Sequence, residues 1–297
     1  MEVKKLYEDA LKNHYAVGAF NFANIETLNS IICASEKTNK PVLACVSEGA
    51  MEYLGEFLHG IVESVKKNHK NIYFHLDHGK SFETIKKAVE MGFDSVMIDG
   101  SSLPFEENVK LTKKVCDYAH EHGVQVEGEL GVLKGVEDNV SSDVNIYSDP
   151  KQCKEFVEKT NVDSLAIAIG TSHGAYKFVG ESKLEFDILE KIQNLLGDFP
   201  LVLHGASSVY SEDVELFNEV YGNLKNANGL SDELIKKVAK TTNIVKINTD
   251  TDLRICYLAN LKKSIFENKG EIDLRKHSKY AMQKLTERIC HKINVLN

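Results

Sequence analysis

The feature that most constrains this chain is an alternation repeated along almost its whole length. Eight short apolar or β-branched runs read as strands: Ala16–Phe20, Val42–Val46, Ile72–Leu76, Ser95–Ile98, Val124–Leu130, Ser164–Ile169, Leu201–Leu203 and Ile244–Ile247. Between them lie amphipathic stretches whose apolar residues recur every three or four positions, among them Glu26–Thr38, Glu56–His69, Phe82–Glu90, Phe105–His122, Pro150–Thr160 and Asp187–Leu196. In Phe105–His122, for example, Val109, Thr112, Val115 and Ala119 line one side. Eight strand–helix alternations predict an α/β chain folded as a (β/α)8 (TIM) barrel. The structural alternative, a doubly wound open sheet, usually carries a Gly-rich turn after its first strand, and Phe20-Asn-Phe-Ala23 is not one.

Helix boundaries have visible causes. Gly92 and Gly123 offer left-handed caps, and Ser148-Asp149-Pro150 reads as an N-cap followed by proline in the first turn. Val3–Asn13 is a helix expected to close the barrel bottom. Thr251–Phe266 and Asp273–Leu296 are helices beyond the last strand, the second expected to pack outside the barrel or against a partner. Two segments are irregular. Residues 131–149 are rich in Gly, Ser, Asp and Asn, as expected of a mobile loop or lid. Residues 208–230 read as an insertion between the seventh and eighth strands, with helical pieces on either side of Gly222–Gly229. One domain over residues 1–297 accounts for the chain.

A formal net charge of -8 argues against a general nucleic-acid binder, which needs clustered Lys and Arg. No apolar run is long enough for a membrane span, and Met1–Glu8 lacks the apolar core of a secretory signal. The six cysteines are scattered without a C-x-x-C pair, as free thiols in a reducing compartment would be. The expectation is a cytoplasmic protein.

In such barrels the chemistry sits at the C-terminal ends of the strands. Those ends carry Asn21; Ser47 and Glu48; Asp77 and His78; Asp99; Glu127 and Glu129; Gly170–Gly174 with His173; His204–Ser207; and Asn248–Thr251. Within Ile72–Gly79, a carboxylate beside an imidazole suits metal-assisted acid/base chemistry. The plainer alternative makes Asp77 a helix cap and His78 a loop histidine. Of 11 histidines, His78, His173 and His204 stand at strand ends, and three imidazoles on one rim suit a catalytic Zn²⁺ with an open position. His75 shares the alternation face of Asp77, with burial in the barrel as its expected fate. Gly174, Gly205, Ser207 and Thr251, with Lys177 and Arg254 as nearby cations, suit a phosphate site after the last strands.

At this point the motifs resemble the class II, metal-dependent fructose-1,6-bisphosphate aldolases. The matching segments are Val17–Asn21, Val46–Ala50, His75–Gly79, Val96–Ser101, Val126–Gly131, Ala168–Gly174, Leu203–Ser207 and Val245–Asp252, in the family's order. The resemblance implies that His78, His173 and His204 hold Zn²⁺. It makes Asp77 the acid/base on the C4 hydroxyl, Glu137 the group that moves the proton at the nascent carbanion carbon, and Asn248 the residue that orients the enediolate. Gly174, Lys177, Gly205 and Ser207 would bind the ketose phosphate. Asp250 and Thr251 match further substrate contacts, with Asn21 and Ser47 as strand-end substrate candidates, and Arg254 would reach the other phosphate. Asp99 and Glu129 match a second, non-catalytic metal position, and a monovalent cation (Na⁺ or K⁺) near Gly174 is a family feature. The family also implies a homodimer or homotetramer acting on a sugar bisphosphate. No Schiff-base lysine is required, and the barrel-strand lysine is Lys246.

Ser208 departs from many relatives, which carry Gly there. Tagatose-bisphosphate aldolases share nearly every motif, although the Asn248-x-Asp250-Thr251 form resembles the fructose branch. A metal-dependent hydrolase would show His-x-His where this chain has Phe20-Asn-Phe22. A non-catalytic relative would have lost a ligand or the acid/base residue, and none is missing.

Overall fold

The eight runs close into a ring of parallel strands in the order β1-β10-β9-β8-β5-β4-β3-β2. In chain order the strands are β1 (Val17–Asn21), β2 (Val42–Ser47), β3 (Ile72–Gly79), β4 (Ser95–Ile98), β5 (Gln125–Leu130), β6 (Gly135–Glu137), β7 (Val140–Ser142), β8 (Ser164–Ile167), β9 (Leu201–Leu203) and β10 (Ile244–Thr249). The helices up to β8 are α1 (Glu2–Asn13), α2 (Ile25–Thr38), α3 (Glu48–Leu54), α4 (Phe57–Asn68), α5 (Phe82–Glu90), α6 (Phe105–Glu121) and α7 (Pro150–Thr160). After it come α8 (Phe186–Leu196), α9 (Ser211–Glu219), α10 (Asp232–Thr241), α11 (Thr251–Glu267) and α12 (Leu274–Leu296). The structure is a computed structural model that describes residues 2–132, 135–137, 140–142, 146–172, 184–220, 222–225 and 227–297, with backbone alone at 135–137 and 140–142.

Closure is set by β1 against β10, with Val17 opposite Lys246 and Phe20 opposite Thr249. Because side chains alternate along a strand, each one serves two cores. On β2, Val42, Ala44 and Val46 join the large cluster that includes Leu28 and Ile31 of α2. Leu43 and Cys45 instead meet Val3, Leu6, Tyr7 and Ala10 of α1, so α1 closes the barrel bottom as expected. The face read on α6 is the buried one: Val109, Thr112, Val115 and Ala119 are all inside. Asp149 caps α7, its carboxylate accepting from the Lys151 and Gln152 amides at 2.9 Å.

Two local features depart from the sequence reading. The stretch after β2 forms α3, capped by the Ser47 hydroxyl, which accepts from the Ala50 amide at 3.2 Å. Seven residues ended by Gly55 are too few for periodicity to register. Within residues 131–149, β6 and β7 pair as an antiparallel hairpin, with Glu137 opposite Val140. As expected of the Ile72–Gly79 stretch, β3 carries Asp77 and His78 at its end.

The last helix packs along α2 and α11 and buries Ala281, Leu285, Ile289 and Ile293. Near its end Lys292, 1% exposed, donates to Ser208 Oγ at 2.9 Å and pairs with Asp252 at 2.9 Å. Asp252 also accepts from the Ser208 and Val209 amides at 2.9 and 2.6 Å. Thus α12 anchors the segment that follows β9. Lys292→Ala leaves Asp252 buried without its cation, and is expected to cost about 3–5 kcal/mol in urea unfolding. A loss below about 1 kcal/mol would show that this pair does not hold the segment.

Candidate active site and metal centre

The site begins with a bend. On β3, His75 and Leu76 pair with Ser95 and Val96 of β4, but the next pairing is Gly79 with Ile98, so β3 carries one extra residue there. His78 takes it up in left-handed backbone, at φ 49°. In a regular strand Asp77 and His78 would point to opposite faces. Here both are buried, and their ligand atoms lie with one from His204 within 4.8 Å of one another. The helix-cap alternative for Asp77 does not hold: Ser81 caps α5, accepting from the Thr84 amide at 3.1 Å.

Asp77 is gripped from two neighbouring strands. Asn21 Nδ2 donates to Oδ2 at 2.7 Å and Asn248 Nδ2 donates to Oδ1 at 3.0 Å. The amide oxygens of both asparagines are buried and accept no hydrogen bond within the described structure. Asn21 also lines a cavity of about 290 Å³ together with Ser47, Tyr53, Asp250 and Arg254. Four sequence-predicted substrate residues therefore share one hollow beside Asp77. Across it, Asp250 accepts from Arg254 Nε at 2.8 Å, and the Arg254 side chain is half exposed. Thr251 opens α11.

His78 stands among anions. Its Nδ1 is 3.1 Å from Asp99 Oδ2 and 3.7 Å from Glu129 Oε2, and these three groups form a second possible metal set. Burial opposes charge on His78, but Asp77, the Asp99 hydrogen bond and Glu129 outweigh it and push its pKa up. Burial and the Asp99 charge push Glu129 up as well. Burial also disfavours charge on Asp99, yet the His78 contact and two bonds from Ser101 hold it well below the usual carboxylate range. This donor set suits a divalent cation.

The ring of His204 packs edge-on against His78, centroids 4.7 Å apart, with His204 Nδ1 3.9 Å from Asp77 Oδ1. Its Nε2 meets Glu127 Oε1 at 2.8 Å, and Lys246 Nζ donates to Glu127 Oε2 at 2.8 Å. Glu127, read as a strand-end residue, lies in mid-strand inside the barrel; His75 is fully buried, as expected. The network they form was invisible in sequence, although Glu127 alternates with Glu129 and Lys246 with Asn248.

The segment after β9 is tightly built. A side chain at Gly205 would meet the backbone of Ser172 at 2.7 Å, and φ there is +62°. Ser207 is buried; its hydroxyl accepts from the Asp250 amide at 3.4 Å, and its carbonyl accepts from the Leu230 amide at 3.1 Å. The insertion 208–230 thus ends against this loop. His173, Gly174 and Lys177, and with them the expected monovalent cation position, lie outside the described residues, as does the side chain of Glu137.

Comparison with known proteins places the chain in a family. The family model for fructose-bisphosphate aldolase class-II matches residues 1–297. The chain belongs to this family. As a class II aldolase it is a carbon–carbon lyase of a metal-dependent family. It is 46% identical over 272 residues to a fructose-bisphosphate aldolase of Helicobacter pylori strain ATCC 700392 / 26695, covering 90% of this chain and 88% of that one. To the fructose-bisphosphate aldolase of Treponema pallidum strain Nichols it is 42% identical over 313 residues, covering 98% and 94%. Among solved structures, the YdjI aldolase from Escherichia coli K12 superposes with a TM-score of 0.79 at 32% identity, covering 99% of this chain and 96% of that one. Among the described residues no helix of the aldolase is long and apolar enough to cross a membrane.

The bend at His78 has a measurable consequence. Left-handed backbone costs an L-residue about 1–2 kcal/mol and costs glycine almost nothing. In metal-free protein, His78→Gly is therefore expected to be more stable than His78→Ala by about 1 kcal/mol, reversing the usual order. Equal midpoints in urea would show that the bulge carries no strain.

Proposed function

We propose that the chain catalyses the reversible, metal-dependent cleavage of fructose 1,6-bisphosphate to dihydroxyacetone phosphate and glyceraldehyde 3-phosphate, the aldolase step of glycolysis and gluconeogenesis. The observation that carries this reading is the convergence of His78, His204 and a doubly hydrogen-bonded Asp77 at one rim of the barrel. In this reading His78 and His204, with His173, hold a Zn²⁺ ion, and Asp99 and Glu129 offer a second position beside His78. When bound, the metal supplies Lewis-acid stabilisation of the charge that develops on the ketone oxygen.

The protein's own residues do the remaining work. Asp77 takes the proton from the C4 hydroxyl as the C3–C4 bond breaks, and returns it in the reverse direction. Asn21 and Asn248 hold both Asp77 oxygens in place, and their own amide oxygens remain to accept from substrate hydroxyls. Asn248 orients the ketose half of the substrate, and Glu137 takes or returns the proton at the nascent carbanion carbon, C3 of fructose 1,6-bisphosphate. Gly174, Lys177, Gly205 and Ser207 bind the ketose phosphate; Ser47, Asp250, Thr251 and Arg254 serve the rest of the substrate. A monovalent cation, Na⁺ or K⁺, sits near Gly174.

Tyr53, on the cavity wall, and Phe57 are 77% and 82% exposed, which supports assembly as a homodimer or homotetramer through this rim. The working compartment is the cytoplasm. Tagatose 1,6-bisphosphate, the C4 epimer, is the competing substrate, since the hydroxyl that Asp77 addresses is the one that differs.

Two measurements test the reading. Fructose 1,6-bisphosphate cleavage is expected to disappear with a chelator, to return with Zn²⁺, and to exceed tagatose 1,6-bisphosphate cleavage. Activity that survives chelation, or a borohydride-trapped lysine adduct, would overturn the metal mechanism, and preference for the epimer would correct the substrate. Asp77→Ala is expected to lower turnover by about 10²–10⁴ while Zn²⁺ content stays stoichiometric. Near-normal turnover would remove Asp77 from the acid/base role.

A further inference from the structure

Glu127 takes part in none of these steps, yet it joins a candidate metal ligand to a fully buried lysine. We propose that Glu127, anchored by Lys246, is a positioning residue that sets the tautomer and ring plane of His204, so that Nδ1 is the nitrogen presented to the metal. The proposal rests on the reading of His204 as a ligand.

The argument is one of donors and acceptors. Lys246 Nζ can only donate, and it lies 2.8 Å from Glu127 Oε2 and 3.0 Å from His75 Nε2. His75 must therefore accept at Nε2, and its Nδ1–H donates to Ser95 Oγ at 2.8 Å. Burial and the Lys246 charge both keep His75 neutral, in keeping with that arrangement. With its proton-rich partner on one side, the Glu127 carboxylate is an acceptor on the other. His204 Nε2, at 2.8 Å, then carries the proton and donates it. The lone pair is left on Nδ1, the nitrogen that faces Asp77. Lys246 and Glu127 are 0% and 1% exposed, so neither can turn to solvent for another partner. An outer carboxylate on a ligating histidine is a recurrent way to orient a metal site.

Replacing Glu127 by glutamine turns this logic into a test. Lys246 accepts nothing, so in Glu127→Gln the amide oxygen must face Lys246 and the amide NH₂ must face His204. His204 then has to accept at Nε2 and carry its proton on Nδ1, the wrong nitrogen for the metal. In metal-free protein, ¹⁵N NMR of the histidines is expected to show His204 as the Nε2–H tautomer in the parent and as the Nδ1–H tautomer in Glu127→Gln. Zn²⁺ affinity, measured by chelator competition, should fall about 10–100-fold. Adding Lys246→Met frees the amide to turn its oxygen back toward His204, and the double variant should regain the Nε2–H tautomer and most of the affinity. A purely structural role predicts no such rescue.

An unchanged tautomer with unchanged Zn²⁺ affinity in Glu127→Gln, or a double variant no better than the single one, overturns the proposal. Should Glu127→Gln not fold, Glu127→Asp keeps the charge and withdraws the carboxylate by one methylene. It should still loosen His204 and weaken Zn²⁺, and parent-like values for both would be equally fatal. Failure of the underlying reading looks different: His204→Ala would retain stoichiometric Zn²⁺ while the tautomer in the parent stayed as described.

Discussion

The site depends on a single extra residue in β3. Strand geometry sends neighbouring side chains to opposite faces, so an acid/base carboxylate and a metal-binding imidazole adjacent in sequence cannot ordinarily share a cavity. The bulge between Leu76 and Gly79, with His78 in left-handed backbone, removes that prohibition. Placing a histidine rather than a glycine at φ 49° stores strain where the ring is needed. Asn21, Glu129 and Asn248 on β1, β5 and β10, with Asp99 and His204 just after β4 and β9, then meet Asp77 and His78 at the mouth.

Below the mouth the barrel interior combines apolar and charged side chains. At the bottom Leu43, Cys45, Val17 and Ala19 pack against α1 in an apolar layer. The same interior also holds His75, Glu127 and Lys246, where barrels of this kind usually place branched aliphatic side chains. A buried ion pair is a poor stabiliser, because desolvating both charges offsets most of their attraction. Its presence directly beneath His204 is better understood through what it orients than through what it adds to stability. The same holds for Lys292 and Asp252, a second buried pair, which immobilises Ser208 and Val209 next to the Ser207 loop.

The barrel was legible in the sequence because its signal is repeated. Each of the eight runs matches a strand to within a few residues, and α6 and α7 obey the periodicity and capping that announce them. Strand ends then pointed to Asn21, Asp77, His78, Asp99, Glu129, His204 and Asn248 without geometry. Three features were not legible, for physical reasons. The bulge has no composition of its own, since a histidine takes left-handed backbone only rarely and a single one does not announce it. α3 is shorter than any window that detects helical period. The bond from Glu127 to His204 joins residues 77 positions apart, and only closure of the barrel brings them together.

The charges at the mouth show why these residues suit a cation. Asp77, Asp99 and Glu129 crowd around His78, while Lys246 is committed to Glu127 and Arg254 to Asp250. Left to itself, such a cluster gathers protons: His78 holds its proton more tightly than usual although burial opposes its charge, and Glu129 does so because burial and the Asp99 charge both disfavour its ionised form. A divalent ion meets the same deficit with one particle and leaves the carboxylates ionised. Lys246 works in the same sense from below, because it neutralises Glu127 without lending a proton to the mouth. Lys246 is a fixed counter-charge, held between Glu127 and His75 and closed off from solvent, and so is not placed to act as a nucleophile.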